Sequence, residues 1–298
     1  MMKTSDHRKP ILVIGATGTI GRQVVSQLAA TGAHVRALAR NPDTACLPPQ
    51  VEVVRGDLTL PATLDPCLDG VQTVFLVWTA PESTVDAALE SIAGRARRIV
   101  FLSAPLKTGH PFFQQPNPAR LLAQHIEQRI ETSGLEWTFL RPGMFAANAR
   151  HFWAPQIRAG DVVRWPYLDA PTAPIDERDI AAVGVRALSE NGHAGMEYIL
   201  TGPQSLTQYE QVSIIGAATG RTLRIEEIPP EVARRGWTAM PAPVEKMLLD
   251  AWAAALGQPA FITSTVEEIL GAPARTFLTW VTDNAAEFQA SAASSSLP

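Results

Sequence analysis

The run Ile11-Leu12-Val13-Ile14, followed at once by Gly15-Ala16-Thr17-Gly18-Thr19-Ile20-Gly21, constrains this chain more than any other stretch. Four consecutive apolar, mostly β-branched residues read as a strand buried on both faces. Residues 22–31 then carry Val24, Val25 and Leu28 at helical spacing and stop at Gly32, the pattern of a helix and its C-terminal cap. Three glycines, each three residues from the next, lie between strand and helix. In that position the first permits a tight turn, the second lets backbone approach a diphosphate, and the third lets the helix pack close to the strand. The free N–H groups and the positive end of the helix dipole then face an anion. With residues 34–39 as the next strand, the spacing predicts a βαβ unit that binds a dinucleotide.

The alternation continues. Strands are predicted at 51–54, 73–77, 99–102 and 138–140, and helices at 61–68, 84–94 and 118–132. Six strands alternating with helices imply an α/β fold, a doubly wound, Rossmann-type parallel sheet over residues 1–150. After Arg150 the rhythm breaks. Residues 151–175 hold Trp153, Trp165, Tyr167 and several prolines, whereas 176–201 read as a helix and a strand that return to the sheet. Residues 202–288 read as mostly helical, with Val244, Met247, Leu248, Ala251, Trp252 and Leu256 on one helical face. Segments 151–175 and 202–288 are therefore expected to form a smaller, mostly helical substrate-side domain, and 289–298 (QASAASSSLP) a disordered tail.

The end of the second strand bears on the choice of cofactor. NAD-binding chains carry an acid about 20 residues past the glycines, where it holds the ribose 2′-hydroxyl. No acid occurs from Ala33 to Pro42, and Arg40 stands where a guanidinium can meet a 2′-phosphate, with Arg36 nearby. NADP(H) is preferred over NAD(H) on this ground. In Arg55-Gly56-Asp57-Leu58, Asp57 is read either as an acceptor for the adenine amino group or as a helix N-cap.

GATGTIG, VRALARNP, VVRGDL, GLEWTFLRPGMFAAN and YILTGPQSLT together resemble the NmrA-like branch of the atypical short-chain dehydrogenases/reductases, from residue 10 to about 288. The resemblance implies a cleft between a Rossmann domain and a small C-terminal domain. It also implies cofactor contacts at Gly15, Thr17, Gly18, Thr19, Ile20, Gly21, Arg40, Asp57 and Leu58. Further contacts are implied at Val77, Trp78 and Thr79, at Ser103, and in the loop Pro142-Gly143-Met144-Phe145. Some members of the branch reduce quinones, imines or other electrophilic double bonds; others bind the dinucleotide without catalysis and act as redox sensors through protein partners.

Most short-chain reductases use a Tyr-x-x-x-Lys pair, the lysine lowering the tyrosine pKa. Pro171, Gly202 and Ser213 follow Tyr167, Tyr198 and Tyr209 at that spacing, so the pair is absent. By spacing, its two positions fall at about Ala119 and Ala123. Lys107, after the strand end Phe101-Leu102-Ser103, is read either as a catalytic group that orients the nicotinamide ribose or a substrate carbonyl, or as a solvated loop lysine. His125 lies two residues, about 200° of helix, past the expected basic position; it is the second catalytic candidate, with Glu127 beside it expected to pair with Arg129 or a distant arginine. Trp78, Phe112, Phe113, Phe145, Trp153, Trp165 and Tyr167 are candidates to line a pocket, with Phe112, Phe113, Trp153 and Trp165 as its substrate-contacting members.

Composition narrows the remaining classes. The net charge of −4 gives no footprint for nucleic acid or an anionic membrane. No Cys/His cluster has metal spacing, the two cysteines give no disulfide framework, and no apolar run reaches membrane-spanning length. A cytoplasmic location is expected because the polar N-terminus has no apolar signal segment. The sequence thus predicts an NADP(H)-dependent reductase of a small electrophilic quinone, enone or imine. The alternative is a non-catalytic NAD(P)-binding sensor acting through a protein partner.

Overall fold

The computed structural model describes residues 9–237 and 241–289; all of the expected tail but Gln289 lies outside them. In chain order the strands are β1 (Ile11–Ile14), β2 (Val35–Ala39), β3 (Glu52–Arg55), β4 (Thr73–Val77), β5 (Arg98–Leu102), β6 (Glu136–Pro142), β7 (Val162–Trp165), β8 (Pro171–Thr172), β9 (Met196–Leu200), β10 (Leu206–Thr207) and β11 (Arg224–Glu227). The helices are α1 (Thr19–Ala30), α2 (Leu64–Cys67), α3 (Val85–Ala93), α4 (Pro118–Glu131), α5 (Ala149–Phe152), α6 (Ala154–Ala159), α7 (Glu177–Ser189), α8 (Gln208–Ala218), α9 (Pro230–Gly236), α10 (Ala242–Ala255), α11 (Thr265–Leu270) and α12 (Phe277–Asp283).

Seven strands form one sheet in the order β3-β2-β1-β4-β5-β6-β9, every pair parallel. The order reverses between β1 and β4, the switch point at which doubly wound sheets open a crevice beyond the carboxyl ends of their strands. The alternation of side chains across a strand places Leu12, Ile14, Leu76, Ile99, Phe101 and Phe139 under α2, α3 and α4. Val13, Ala37, Phe75, Val100 and Leu140 lie under α1 and α7 on the other face. With both faces covered, the strands read as continuous apolar runs, and this is why their positions are legible in the sequence.

A third core forms beyond residue 145. Trp153, Trp165, Trp252 and Trp280, with Phe277 and Phe288, are sealed within it. β8 and β10 pair antiparallel and β7 and β11 parallel, two short ladders that brace this region against the main sheet.

Several local expectations shift. α1 begins at Thr19, directly on the glycine turn, and not at Arg22. The stretch 61–68 is a 3₁₀ turn (Pro61–Thr63) leading into the single-turn α2, since Pro66 leaves little room for a longer helix. On α10 the buried face is Leu248, Leu249, Ala251, Trp252 and Ala255, while Val244 and Leu256 are exposed. The register of that face is set by the tryptophan core, which heptad-like spacing alone does not encode.

Candidate functional site

The site is built at the carboxyl edge of the sheet, from the loops that follow β1, β4, β5 and β6. At the first, Gly15 has φ +81°, and a Cβ there would lie 2.7 Å from the Val77 Cβ of β4. A Cβ on Gly21 would lie 2.1 Å from the Gly15 carbonyl oxygen, so helix and strand meet at backbone contact. Both glycines are demanded by the fold itself. Gly18 differs. Its φ of −81° suits any residue, and a Cβ would meet nothing nearer than the Gly15 oxygen at 3.4 Å. Among the described residues nothing requires glycine at 18; a ligand that backbone must approach closely would.

The same point carries unmatched donors. α4, α7 and α8 each open on a capping side chain, Asn117, Asp176 and Thr207, whereas α1 has none and no acid in its first turn. Its first N–H groups therefore have no acceptor among the described residues, beside the exposed Thr17, Gly18 and Thr19. Arg22 lies behind them and donates to the carbonyls of Thr17, Ala45 and Cys46, which ties the glycine turn to the loop after β2. These features fit a diphosphate gripped by backbone amides.

At the ends of β2 and β3 the arginines divide by task. Arg36 donates to the Glu52 carboxylate at 2.9 Å and to the carbonyls of Cys67 and Asp69, so it is a sheet-edge anchor. Arg40 is exposed and makes no ion pair among the described residues. Arg55, opposite Ala39 in the ladder, is likewise exposed and unpaired among them. Sequence reasoning missed Arg55; its cue was its place two residues before Asp57, which parallel register carries to the strand end beside Arg40. Asp57 accepts from the Thr59 N–H at 2.8 Å within a tight turn. It is not a helix N-cap, because Leu60 holds that place before Pro61, and one carboxylate oxygen stays available. The Leu58 side chain is buried in the core.

Around the far end of the edge, Val77, Trp78, Thr79, Ser103, Pro142, Gly143 and Phe145 converge from three strands. The Trp78 indole donates to the Ala80 carbonyl, which fixes the loop after β4. Ser103 donates its hydroxyl to Glu127 at 2.6 Å. Glu127 in turn forms a two-pronged pair with Arg141 (2.9 and 2.6 Å) that is almost wholly buried, and Arg141 reaches on to Glu197. The partner of Glu127 is therefore this distant arginine, since Arg129 pairs with Asp86. Burial pushes the Glu197 carboxyl up, but hydrogen bonds from Lys107 and Arg141 outweigh it and hold the group below the ordinary range. Arg141 responds in kind. Burial works against its charge, and the Glu127 and Glu197 carboxylates overcome that and raise its pKa.

Neither catalytic candidate faces this edge as a free group. The Lys107 ammonium is paired with Glu197 and is largely exposed. The His125 ring contacts Glu82 at 2.9 Å on the outer side of α4. Neither residue lines the cavities beside Pro142. Trp165 is corrected too: it is 1% exposed, its indole N–H is held by Gln208, and it lies in the aromatic core away from any opening.

Beside Gly143 opens a groove of about 150 Å³, walled by Phe112, Phe113, Pro142, Met144, Met247, Leu248 and Ala251 and flanked by Gln115, Asn117 and Arg120. Phe112 and Phe113 meet edge to face at 4.9 Å in its wall. Met144 also borders two smaller spaces, one under Phe261 and one under Trp153 and Trp252. Trp153 thus lines a neighbouring hollow and not the groove, and its indole N–H is buried without a partner.

Among curated proteins the chain is 40% identical over 286 residues to the (4-alkanoyl-5-oxo-2,5-dihydrofuran-3-yl)methyl phosphate reductase of Streptomyces griseus, covering 93% of this chain and 99% of that one. It is 34% identical to the NAD(P)H azoreductase of Xenophilus azovorans, over 94% of this chain and 99% of that protein. Among solved structures, an NADPH-dependent quinone oxidoreductase of Escherichia coli complexed with NADPH superposes with a TM-score of 0.77 at 23% identity, covering 92% of this chain and 99% of the other. The model of the NmrA-like family matches residues 7–255. With the glycine turn, the seven-stranded parallel sheet and these relatives in agreement, the chain belongs to the NmrA-like family.

Proposed function

We propose that this NAD(P)-dependent oxidoreductase is an NADP(H)-dependent reductase of a small, flat, electrophilic molecule of the quinone, enone or imine class. The observation that carries the reading is Gly18, a glycine the fold does not need, at an uncapped helix mouth whose sheet edge runs on to an apolar groove. The backbone from Gly15 to Gly21 would hold the diphosphate. Arg40, joined by Arg55, would take the 2′-phosphate, and Asp57 would border the adenine. Val77–Thr79, Ser103 and Pro142–Phe145 would border the nicotinamide.

A reduced nicotinamide bound there would supply hydride-donor chemistry toward an electron-poor carbon, with the proton for the conjugated oxygen or nitrogen coming from solvent. The residues of the chain position and dry that reaction. Phe112, Phe113, Met144 and Leu248 present flat apolar walls that orient a planar ring and shed water. The reading needs no phenol from a Tyr-x-x-x-Lys pair, which the sequence lacks, its two positions falling by spacing at about Ala119 and Ala123. The Ser103 proton is directed at Glu127. An already polarised double bond is the substrate that tolerates this lack of an acid. The names of the Streptomyces griseus and Xenophilus azovorans relatives, both reductases, support the class.

The missing acid also favours a second reading, a dinucleotide sensor without turnover. NADPH oxidation by the purified protein, followed by absorbance with a panel of quinones, enones and imines, separates the two. Turnover of one class supports the reductase. Tight NADPH binding with no turnover of any of them overturns it in favour of the sensor.

A further inference from the structure

The groove beside Gly143 holds a single charged side chain, Arg120, in the first turn of α4. Its two polar neighbours carry no charge and are each tied locally. The Asn117 side chain accepts from the Ala119 and Arg120 N–H groups as the cap of α4, and Gln115 donates to the Pro111 carbonyl at 3.2 Å. Arg120 makes one hydrogen bond, from Nη2 to the Leu106 carbonyl at 3.1 Å, and no ion pair among the described residues. Arg36, Arg98, Arg141 and Arg178, partly or fully buried, each hold a carboxylate, and Arg22, which holds none, is spent on three carbonyls where Arg120 has one. A guanidinium has five N–H donors in a planar fork suited to oxyanions. A half-buried cation beside apolar walls, with no counter-charge among the described residues, keeps N–H donors for an incoming anion and gains a charge-assisted pair when one binds. The dipole of the fourteen-residue α4 adds to the attraction, since Arg120 lies at its positive end.

Resting on the reductase reading above, we infer that the substrate carries an anionic group, phosphate or carboxylate, which Arg120 binds while the planar electrophile lies against Phe112, Phe113 and Met144. Arg120 is then a specificity-determining residue: it selects charged over neutral electrophiles and fixes which end of the molecule points away from Pro142. The competing role is structural, an anchor for the 103–110 loop through Leu106. A single bond to a neutral carbonyl needs an N–H donor, and glutamine supplies one.

The test uses three compounds on one skeleton: a 3-alkanoyl-4-(hydroxymethyl)butenolide, its phosphate monoester, and the analogue with a carboxylate in place of the phosphate. The kcat/KM of each is measured at saturating NADPH for the wild type, Arg120→Gln and Arg120→Lys, with thermal melting to verify folding. One anion should outrank the alcohol in the wild type, and its identity distinguishes phosphate from carboxylate. The anion-to-alcohol ratio should fall roughly 10- to 100-fold in Arg120→Gln, as loss of a charge-assisted pair implies, and Arg120→Lys should restore much of it. Equal use of alcohol and anions by the wild type, or a ratio unchanged by Arg120→Gln, overturns the assignment and leaves the reductase reading standing. If no compound is turned over, calorimetry of the phosphate and carboxylate compounds on NADP⁺-loaded protein decides. Binding that Arg120→Gln abolishes keeps the anion site while the reductase reading fails, and absence of binding overturns the anion site too.

Discussion

Replacing Gly18 by alanine should separate the demands of the fold from those of the ligand. The backbone at 18 is extended, and the new methyl would meet the Gly15 carbonyl oxygen at 3.4 Å, ordinary contact distance. Two small effects on stability oppose each other. Alanine narrows the unfolded ensemble, which stabilises by about 0.4–1 kcal/mol, but it is a poorer N-cap than glycine, which costs up to about 1 kcal/mol. The net should stay within about 1 kcal/mol, or about 2–4 °C in melting temperature for a chain near this size. Cofactor binding should respond differently, because the methyl occupies space that a diphosphate would need. Loss of even one charge-assisted amide contact is worth about 1.5–3 kcal/mol, so the NADPH Kd should rise roughly 10- to 100-fold by calorimetry. Gly21→Ala is the contrast: its methyl would lie 2.1 Å from the Gly15 oxygen, and the melting temperature should collapse along with binding. Wild-type NADPH affinity in Gly18→Ala would refute the idea that this turn grips a diphosphate. A Gly18→Ala protein as unstable as Gly21→Ala would show that the fold, not the ligand, demands the glycine.

Three further outcomes follow from the geometry. Arg40→Ala should lower the ratio of NADPH to NADH affinity roughly 10- to 100-fold, and Arg55→Ala should move it the same way by less; ratios unmoved in both variants would remove these arginines from 2′-phosphate recognition. Glu127→Gln leaves Arg141 buried with a diminished counter-charge and should cost about 3 kcal/mol in urea unfolding, an expectation that a change under about 1 kcal/mol would defeat. Against burial, which pushes it up, the Lys107 ammonium and the Arg141 guanidinium hold the Glu197 carboxyl below its ordinary value of 4.5 in the folded protein. Its contribution to stability is therefore complete above that value and is lost as pH falls through the lower, folded pKa. Melting temperature should fall on the acid side of 4.5, and Glu197→Gln should flatten that limb; an identical acid limb in the variant would rule the group out.

Much of the site was legible because its grammar is local. The glycine turn, the strand runs buried on both faces and the proline-led start of α4 depend on neighbours within a few residues, and their side chains declare them. The sequence also carried the absence of a Tyr-x-x-x-Lys pair and of an acid from Ala33 to Pro42. It did not carry which distant groups would meet. Lys107 and His125 look like free catalytic groups until the folded chain sets Glu197 and Glu82 against them. Trp165 looks like a pocket wall until α8 and α10 close over it.

Local spacing by itself determined the doubly wound sheet and the phosphate-type turn, since backbone conformation there answers to φ/ψ limits and two- or 3.6-residue periods. Only tertiary structure decided the Ser103–Glu127–Arg141–Glu197 chain, the register that carries Arg55 to the strand end where Arg40 stands, and the lone charge of Arg120 in its groove. The physical reason is that charge pairing and burial depend on which faces of separate elements pack together, a property of the assembled chain that no stretch of neighbours encodes.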